Sequence, residues 1–134
     1  MNKKILKCVT RLKSNAKYLN DMIFAFIVAK HVKSNAIVLA NNKQVVGIGA
    51  GQMSRVDAID IALNKMKDNF CKMKPFVFAS DGFLPFSDNI ILLKNTKCKG
   101  IIQPGGSKND KTLIKKANDL GIPMYFTGIR HFKH

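Results

Sequence analysis

Residues Phe76 to Phe126 read FVFASDGFLPFSDNIILLKNTKCKGIIQPGGSKNDKTLIKKANDLGIPMYF, and the rhythm of that stretch decides the fold. FVFAS (76–80), GIIQP (100–104) and IPMYFTG (122–128) are short apolar runs. Between them come a loop and a short helical stretch, DNIILLKNTK, then a second loop and a longer helical stretch, KTLIKKANDL. Strands of unbroken apolar character that alternate with helices belong to sheets with parallel members, buried on both faces. The predicted fold class is α/β, with a mixed sheet covered by helices.

Upstream, AIVLA (36–40), the polar turn NNKQ and VVGIG (45–49) predict a hairpin of two short strands. In VDAIDIALNKMKDNF, apolar residues at 56, 58, 59, 62, 63 and 66 predict an amphipathic helix. Ser54 and Asp57 before it are spaced as a capping box. Asn20 and Asp21 are the candidate N-caps of a helix to about His31, apolar nearly all round and therefore buried. Residues 1–20 read as a poorly committed N-terminal segment and 21–134 as the folded part, with no linker between elements.

At 134 residues the chain has the size of one domain, able to bury roughly two-thirds of its surface. Twenty-three basic residues against eight acidic ones give a net charge of +15. That field suits a phosphate-bearing ligand, although a merely lysine-rich, solvated surface produces the same number. Nucleic acid is disfavoured, because the lysines are scattered and neither an aromatic RNA-binding signature nor zinc spacing is present. Cys8, Cys71 and Cys98 are far apart and form no metal-type pair, which fits buried thiols in a reducing cytoplasm and no metal site. MNKKILKCVTRLKSN has no apolar signal core, and the longest apolar run, MIFAFIVA (22–29), is too short to span a membrane. The expected location is cytoplasmic, away from membranes.

Ligands of α/β sheets sit beyond the carboxyl ends of the strands. The loops there are GIGAGQMSR (47–55), SDGFLPFSD (80–88), QPGGSKND (103–110) and TGIRHFKH (127–134). Gly47, Gly49 and Gly51 are not the dinucleotide fingerprint, since Gln52 and Ser54 stand where its third glycine is needed, and no P-loop lysine follows. Two readings remain: a helix N-terminus offered to an anion, or glycines that serve the turn's geometry only. Arginine occurs three times against twenty lysines, and two of the three, Arg55 and Arg130, lie in these loops. A planar fork suits bidentate contact to phosphate; the alternative for Arg55 is a salt bridge to Asp57, Asp81 or Asp88. Phe83 and Phe86, flanked by Asp81 and Asp88, form either a slot for a flat heterocycle or a plug for the core, with Asp88 capping the next helix. Ser107 either caps a helix or joins a backbone clasp. His31, His131 and His134 join no recognisable catalytic set.

Taken together, KHVKSNAIV (30–38), GIGAGQMSRV (47–56), ASDGFLPFSDN (79–89), IIQPGGS (101–107) and FTGIRHFKH (126–134) closely resemble the C-terminal part of the bifunctional purine biosynthesis proteins. That family combines AICAR transformylase (phosphoribosylaminoimidazolecarboxamide formyltransferase) with IMP cyclohydrolase. The resemblance implies a cytidine-deaminase-like α/β unit and an active site at a homodimer interface. It also implies formyl transfer to the amine of AICAR from a co-substrate, 10-formyltetrahydrofolate, with no tightly bound cofactor. AICAR contacts fall by resemblance on Asn35, Arg55 and Arg130; folate contacts fall on Val56, Phe83, Asp88, Ser107 and Lys108. The glycines of 47–51 are then expected to let the ligands lie against backbone. Gly82 and Leu84 stand where the family pattern SDAFFPF has Ala and a second Phe, which implies a looser folate slot.

The family's catalytic Lys-His pair lies upstream of these motifs. Lys30-His31 spells the same dipeptide but stands directly before KSNAIV, so it is a different element. No catalytic residue is expected in this chain, which would act with a second copy or with the upstream segment. The alternatives are a non-catalytic remnant, half of a split enzyme, or a basic nucleic-acid-binding module.

Overall fold

The computed structural model describes residues 6–69 and 74–128. In chain order its elements are β1 (Lys7–Cys8), α1 (Ala16–His31), β2 (Ile37–Asn41), β3 (Gln44–Gly49), α2 (Arg55–Asn69), β4 (Phe76–Ser80), α3 (Asp88–Ile91), β5 (Cys98–Gln103), α4 (Asp110–Leu120) and β6 (Met124–Phe126). The strands form one six-stranded sheet in the order β1-β6-β5-β4-β2-β3. β4, β5 and β6 run parallel, β2 is antiparallel to both β3 and β4, and β1 is antiparallel to β6. This is the mixed, helix-covered α/β sheet that the strand–helix alternation predicts.

Successive side chains of a strand point to opposite faces, and both faces of this sheet are covered. Ile37, Leu39, Phe78 and Ile101 pack with Ala58, Ile59 and Ala62 of α2, Ile90 of α3, and Leu113 and Ala117 of α4. Val38, Ala40, Val77, Ala79 and Ile102 pack with Met22, Ala25, Phe26 and Ala29 of α1 on the other side. Strands clothed on both sides need apolar residues at every position. That is why FVFAS reads as a continuous run, fully buried along β4.

The β2–β3 hairpin turns through Asn42 and Lys43, both left-handed at φ 53° and 56°, as a two-residue turn matching strand twist requires. Their N–H groups donate to Asp21 Oδ2 and Oδ1 at 3.0 and 2.9 Å. Asp21 is therefore not a helix cap. It lies within α1, buried, and ties that helix to the hairpin turn. The cap is Asn15, whose Oδ1 accepts from Tyr18 N at 2.9 Å, so α1 begins earlier than expected. Nor is α1 buried all round: Ile23, Phe24, Ile27 and Val28 are only half-buried.

Within 6–20, expected to be poorly committed, β1 pairs with β6 and Val9 N donates to Met124 O at 3.0 Å. Thr10 Oγ1 accepts from Met124 N at 2.9 Å, and Ser14 N donates to the Tyr125 hydroxyl at 3.0 Å. A two-residue strand has no periodicity to read, so this pairing leaves no trace in the sequence. α3 is also shorter than the DNIILLKNTK stretch suggests.

α2 starts as the capping spacing predicts, with Asp57 N donating to Ser54 Oγ at 3.1 Å. It lies very close to β3. A Cβ on Gly47 would overlap the Ala62 carbonyl oxygen, and one on Gly49 would overlap that of Ala58. These two glycines admit a helix backbone. The expectation that they admit a ligand is corrected: their bare faces are already occupied by α2.

Candidate functional site

The start of β2 and the ends of β3 and β4 share one edge of the sheet, because Ile37 pairs with both Gly49 and Ser80. Asp81 follows β4 at that edge and is 1% exposed. Its Oδ1 accepts from Arg55 Nη1 and, at 3.1 Å, from Ala36 N. Its Oδ2 accepts from Ser34 Oγ at 2.5 Å. Of the three acids open to Arg55 by sequence, the fold brings Asp81 to it. Arg55 is itself buried, at 9% exposure.

Asn35 stands between the two Asp81-bonded residues. Its Nδ2 donates to Met53 O at 3.1 Å and its backbone N to Gln52 O at 3.1 Å. With Gly51 N donating to Lys33 O at 2.6 Å, these bonds lace the turn before β2 to the turn before α2. Asn35, Arg55, Phe83 and Pro85 line a cleft of about 280 Å³. An amide, a guanidinium and an aromatic ring around one hollow can hydrogen-bond and charge-pair an anionic ligand while stacking on a flat one.

The remaining expected site residues are placed less uniformly. Val56, in the first turn of α2, is 40% exposed. Asp88 is exposed at the start of α3, and Asn89, not Asp88, accepts from Phe86 N, at 3.1 Å. Lys108 is exposed and Ser107 half-buried in the turn before α4. Ser107 Oγ accepts from Asn109 N at 3.1 Å, while Asp110 accepts from the Gly106 and Ser107 N–H groups. Asn109 Nδ2 donates to Pro85 O at 2.7 Å, fastening this turn to the loop that carries Phe83. Arg130 lies outside the described residues.

Leu84, which stands where the family pattern has a second Phe, is fully buried in the core with its N–H bonded to the Gln103 side chain at 3.0 Å, and it is not among the residues that line the cleft. Phe86, at 61% exposure, is no plug for the core. The residues that sequence reasoning missed are Ser34, which bonds Asp81, and Asn109, which bonds Pro85 of the cleft's lining. Asp81 was visible there only as one of several acids. A second hollow of about 500 Å³ lies at the ends of β5 and β6, lined in part by Lys7, Gly105, Gly106 and Phe126. Among the described residues no His, Cys, Asp and Glu cluster could hold a metal ion, and no helix is long and apolar enough to cross a membrane.

Comparison with known proteins brings in a family. The sequence model of the AICARFT/IMPCHase bienzyme matches residues 1–65. The bifunctional purine biosynthesis protein PurH of Anoxybacillus flavithermus is 49% identical over 129 residues, 96% of this chain and 25% of that protein. The PurH proteins of Persephonella marina and Aquifex aeolicus are 47% and 46% identical over the same 96% of the chain, covering 25% and 26% of their own lengths. By sequence, this chain is similar to one segment of the AICARFT/IMPCHase bienzymes. It spans about a quarter of the length of the curated AICARFT/IMPCHase relatives it matches.

Proposed function

We propose that this chain is the substrate-binding segment of an AICAR formyltransferase in purine biosynthesis. AICAR is held by Asn35, Arg55 and Arg130, and 10-formyltetrahydrofolate by Val56, Phe83, Asp88, Ser107 and Lys108. Formyl transfer proceeds by attack of the AICAR amine on the formyl carbon. The chain's part is to bring the two together; the histidine that takes the proton comes from another segment. The working form is an assembly, in the cytoplasm, whose parent protein also carries the cyclohydrolase activity.

The observation that carries this reading is the common cleft of Asn35, Arg55 and Phe83, three residues remote in sequence. Arg55 supplies charge and paired hydrogen bonds to the nucleotide, Asn35 an amide, and Phe83 a flat face for a heterocycle.

Calorimetric titration of the purified chain with AICAR tests it. Saturable binding is expected, with a rise in melting temperature as ligand is added, and a marked loss in Arg55→Ala. A basic nucleic-acid surface would barely respond to the loss of one charge in twenty-three. The chain alone is expected to show no formyl transfer. Turnover without a partner would overturn the division of labour, and absence of AICAR binding would overturn the reading itself.

A further inference from the structure

We propose that Asp81 is the positioning residue of the cleft: one buried carboxylate sets the spacing between Asn35 and Arg55. The inference takes its ligand from the nucleotide-binding reading above and everything else from the geometry of this chain.

Ser34 and Ala36 flank Asn35, and both donate to Asp81, at 2.5 and 3.1 Å. Asp81 N returns a bond to Ala36 O at 3.2 Å. The peptide that carries Asn35 is thereby pinned on both sides. The same carboxylate takes Nη1 of Arg55, and a guanidinium holds its five N–H groups in one plane. Fixing Nη1 therefore sets the direction in which the rest of the fork points. A buried ion pair is a poor source of stability, since its charges lose their water and an apolar pair of like volume serves the fold as well. Placed behind two cleft-lining residues, the pair is better explained by orientation.

The test uses the full chain, labelled with ¹⁵N, as wild type, Asp81→Asn, Arg55→Ala and the double variant. The amide of Asp81→Asn is nearly isosteric but has one acceptor oxygen where the carboxylate has two, so it cannot accept from both Ser34 and Ala36, and it loses the charge that holds Arg55. Expected results are AICAR binding weakened about tenfold or more and concerted shifts of the Asn35 and Arg55 side-chain signals. In the Arg55→Ala background Asp81→Asn is expected to add little, as for residues acting through one contact. Additive losses, or an Asn35 signal that stays in place, would overturn the proposal. If wild type binds no AICAR, the nucleotide reading falls; the concerted signal shifts then support Asp81 as organiser of the cleft, and their absence overturns it. Should Asp81→Asn fail to fold, Ser34→Ala removes one of its bonds and spares the ion pair. A shifted Asn35 signal is expected there, and an unmoved one overturns the proposal.

Discussion

Gly49 of β3 lies so close to the Ala58 carbonyl oxygen of α2 that a Cβ on the glycine would overlap it. The obstacle is backbone, which cannot swing aside as a flexible side chain can. Gly49→Ala must therefore lift α2 from the sheet, and overpacking of this kind costs about 1–3 kcal/mol. Chemical denaturation is expected to show a lower midpoint with an unchanged slope. An unchanged midpoint combined with weaker AICAR binding would return the glycine to the ligand.

Asn109 and Pro85 couple the two loops that carry the residues proposed to contact 10-formyltetrahydrofolate. Their 2.7 Å bond directly links the turn bearing Ser107 and Lys108 to the loop bearing Phe83. Removing it in Asn109→Ala should cost about 1 kcal/mol. Hydrogen exchange is expected to quicken in both loops, and 10-formyltetrahydrofolate affinity to fall more than AICAR affinity. Equal protection in variant and wild type would show that the loops hold each other by other contacts.

Asp21 separates stability from binding. It receives two N–H groups from the hairpin turn, at the end of β2 away from Asn35. Asp21→Ala leaves both without their acceptor, at a cost of about 1–3 kcal/mol, and Asp21→Asn restores part of the loss. AICAR affinity measured well below the melting temperature is expected to stay unchanged. A matching fall in affinity would mean that the hairpin's two ends are coupled.

Cys98 should be chemically silent in the folded chain. Burial raises its thiol from the ordinary 9.0 to about 12, outweighing the Gly100 carbonyl contact and the Lys99 charge. At pH 8, alkylation mapped by peptide mass is expected to mark the half-buried Cys8 and leave Cys98 until the protein unfolds. The pH dependence has a definite sign. Between about 9 and about 12 the unfolded chain releases a proton that the folded chain keeps, so this group's contribution to stability falls as pH rises through that window. Cys98→Ala should flatten that part of the fall. Native labelling of Cys98 at the unfolded rate would rule this out.

Much of the architecture was legible because it rests on local chemistry. AIVLA, NNKQ and VVGIG announce β2, a turn and β3; Ser54 and Asp57 announce the start of α2. The start of α1 was hidden, because Asn15 caps a first turn of Ala16, Lys17 and Tyr18 that lies outside the apolar run, while Asp21 looks like a cap and is used elsewhere. The loop FLPF shows three apolar residues in similar surroundings. Which one enters the core depends on the bond between Leu84 N and Gln103, a residue of the neighbouring strand.

The sequence by itself determined, β1 apart, the kinds of element, their order, and which loops gather at the carboxyl edge of the strands. Those follow from periodicity, turn residues and caps, all of which act over a few positions along the chain. Only the tertiary structure decided that Gly47 and Gly49 serve a helix, that Leu84 fills the core, and that Asp81 holds Arg55. Each of these is a distance between groups remote in sequence, 26 positions apart for Arg55 and Asp81. Such distances exist only once the sheet has brought its strand ends side by side.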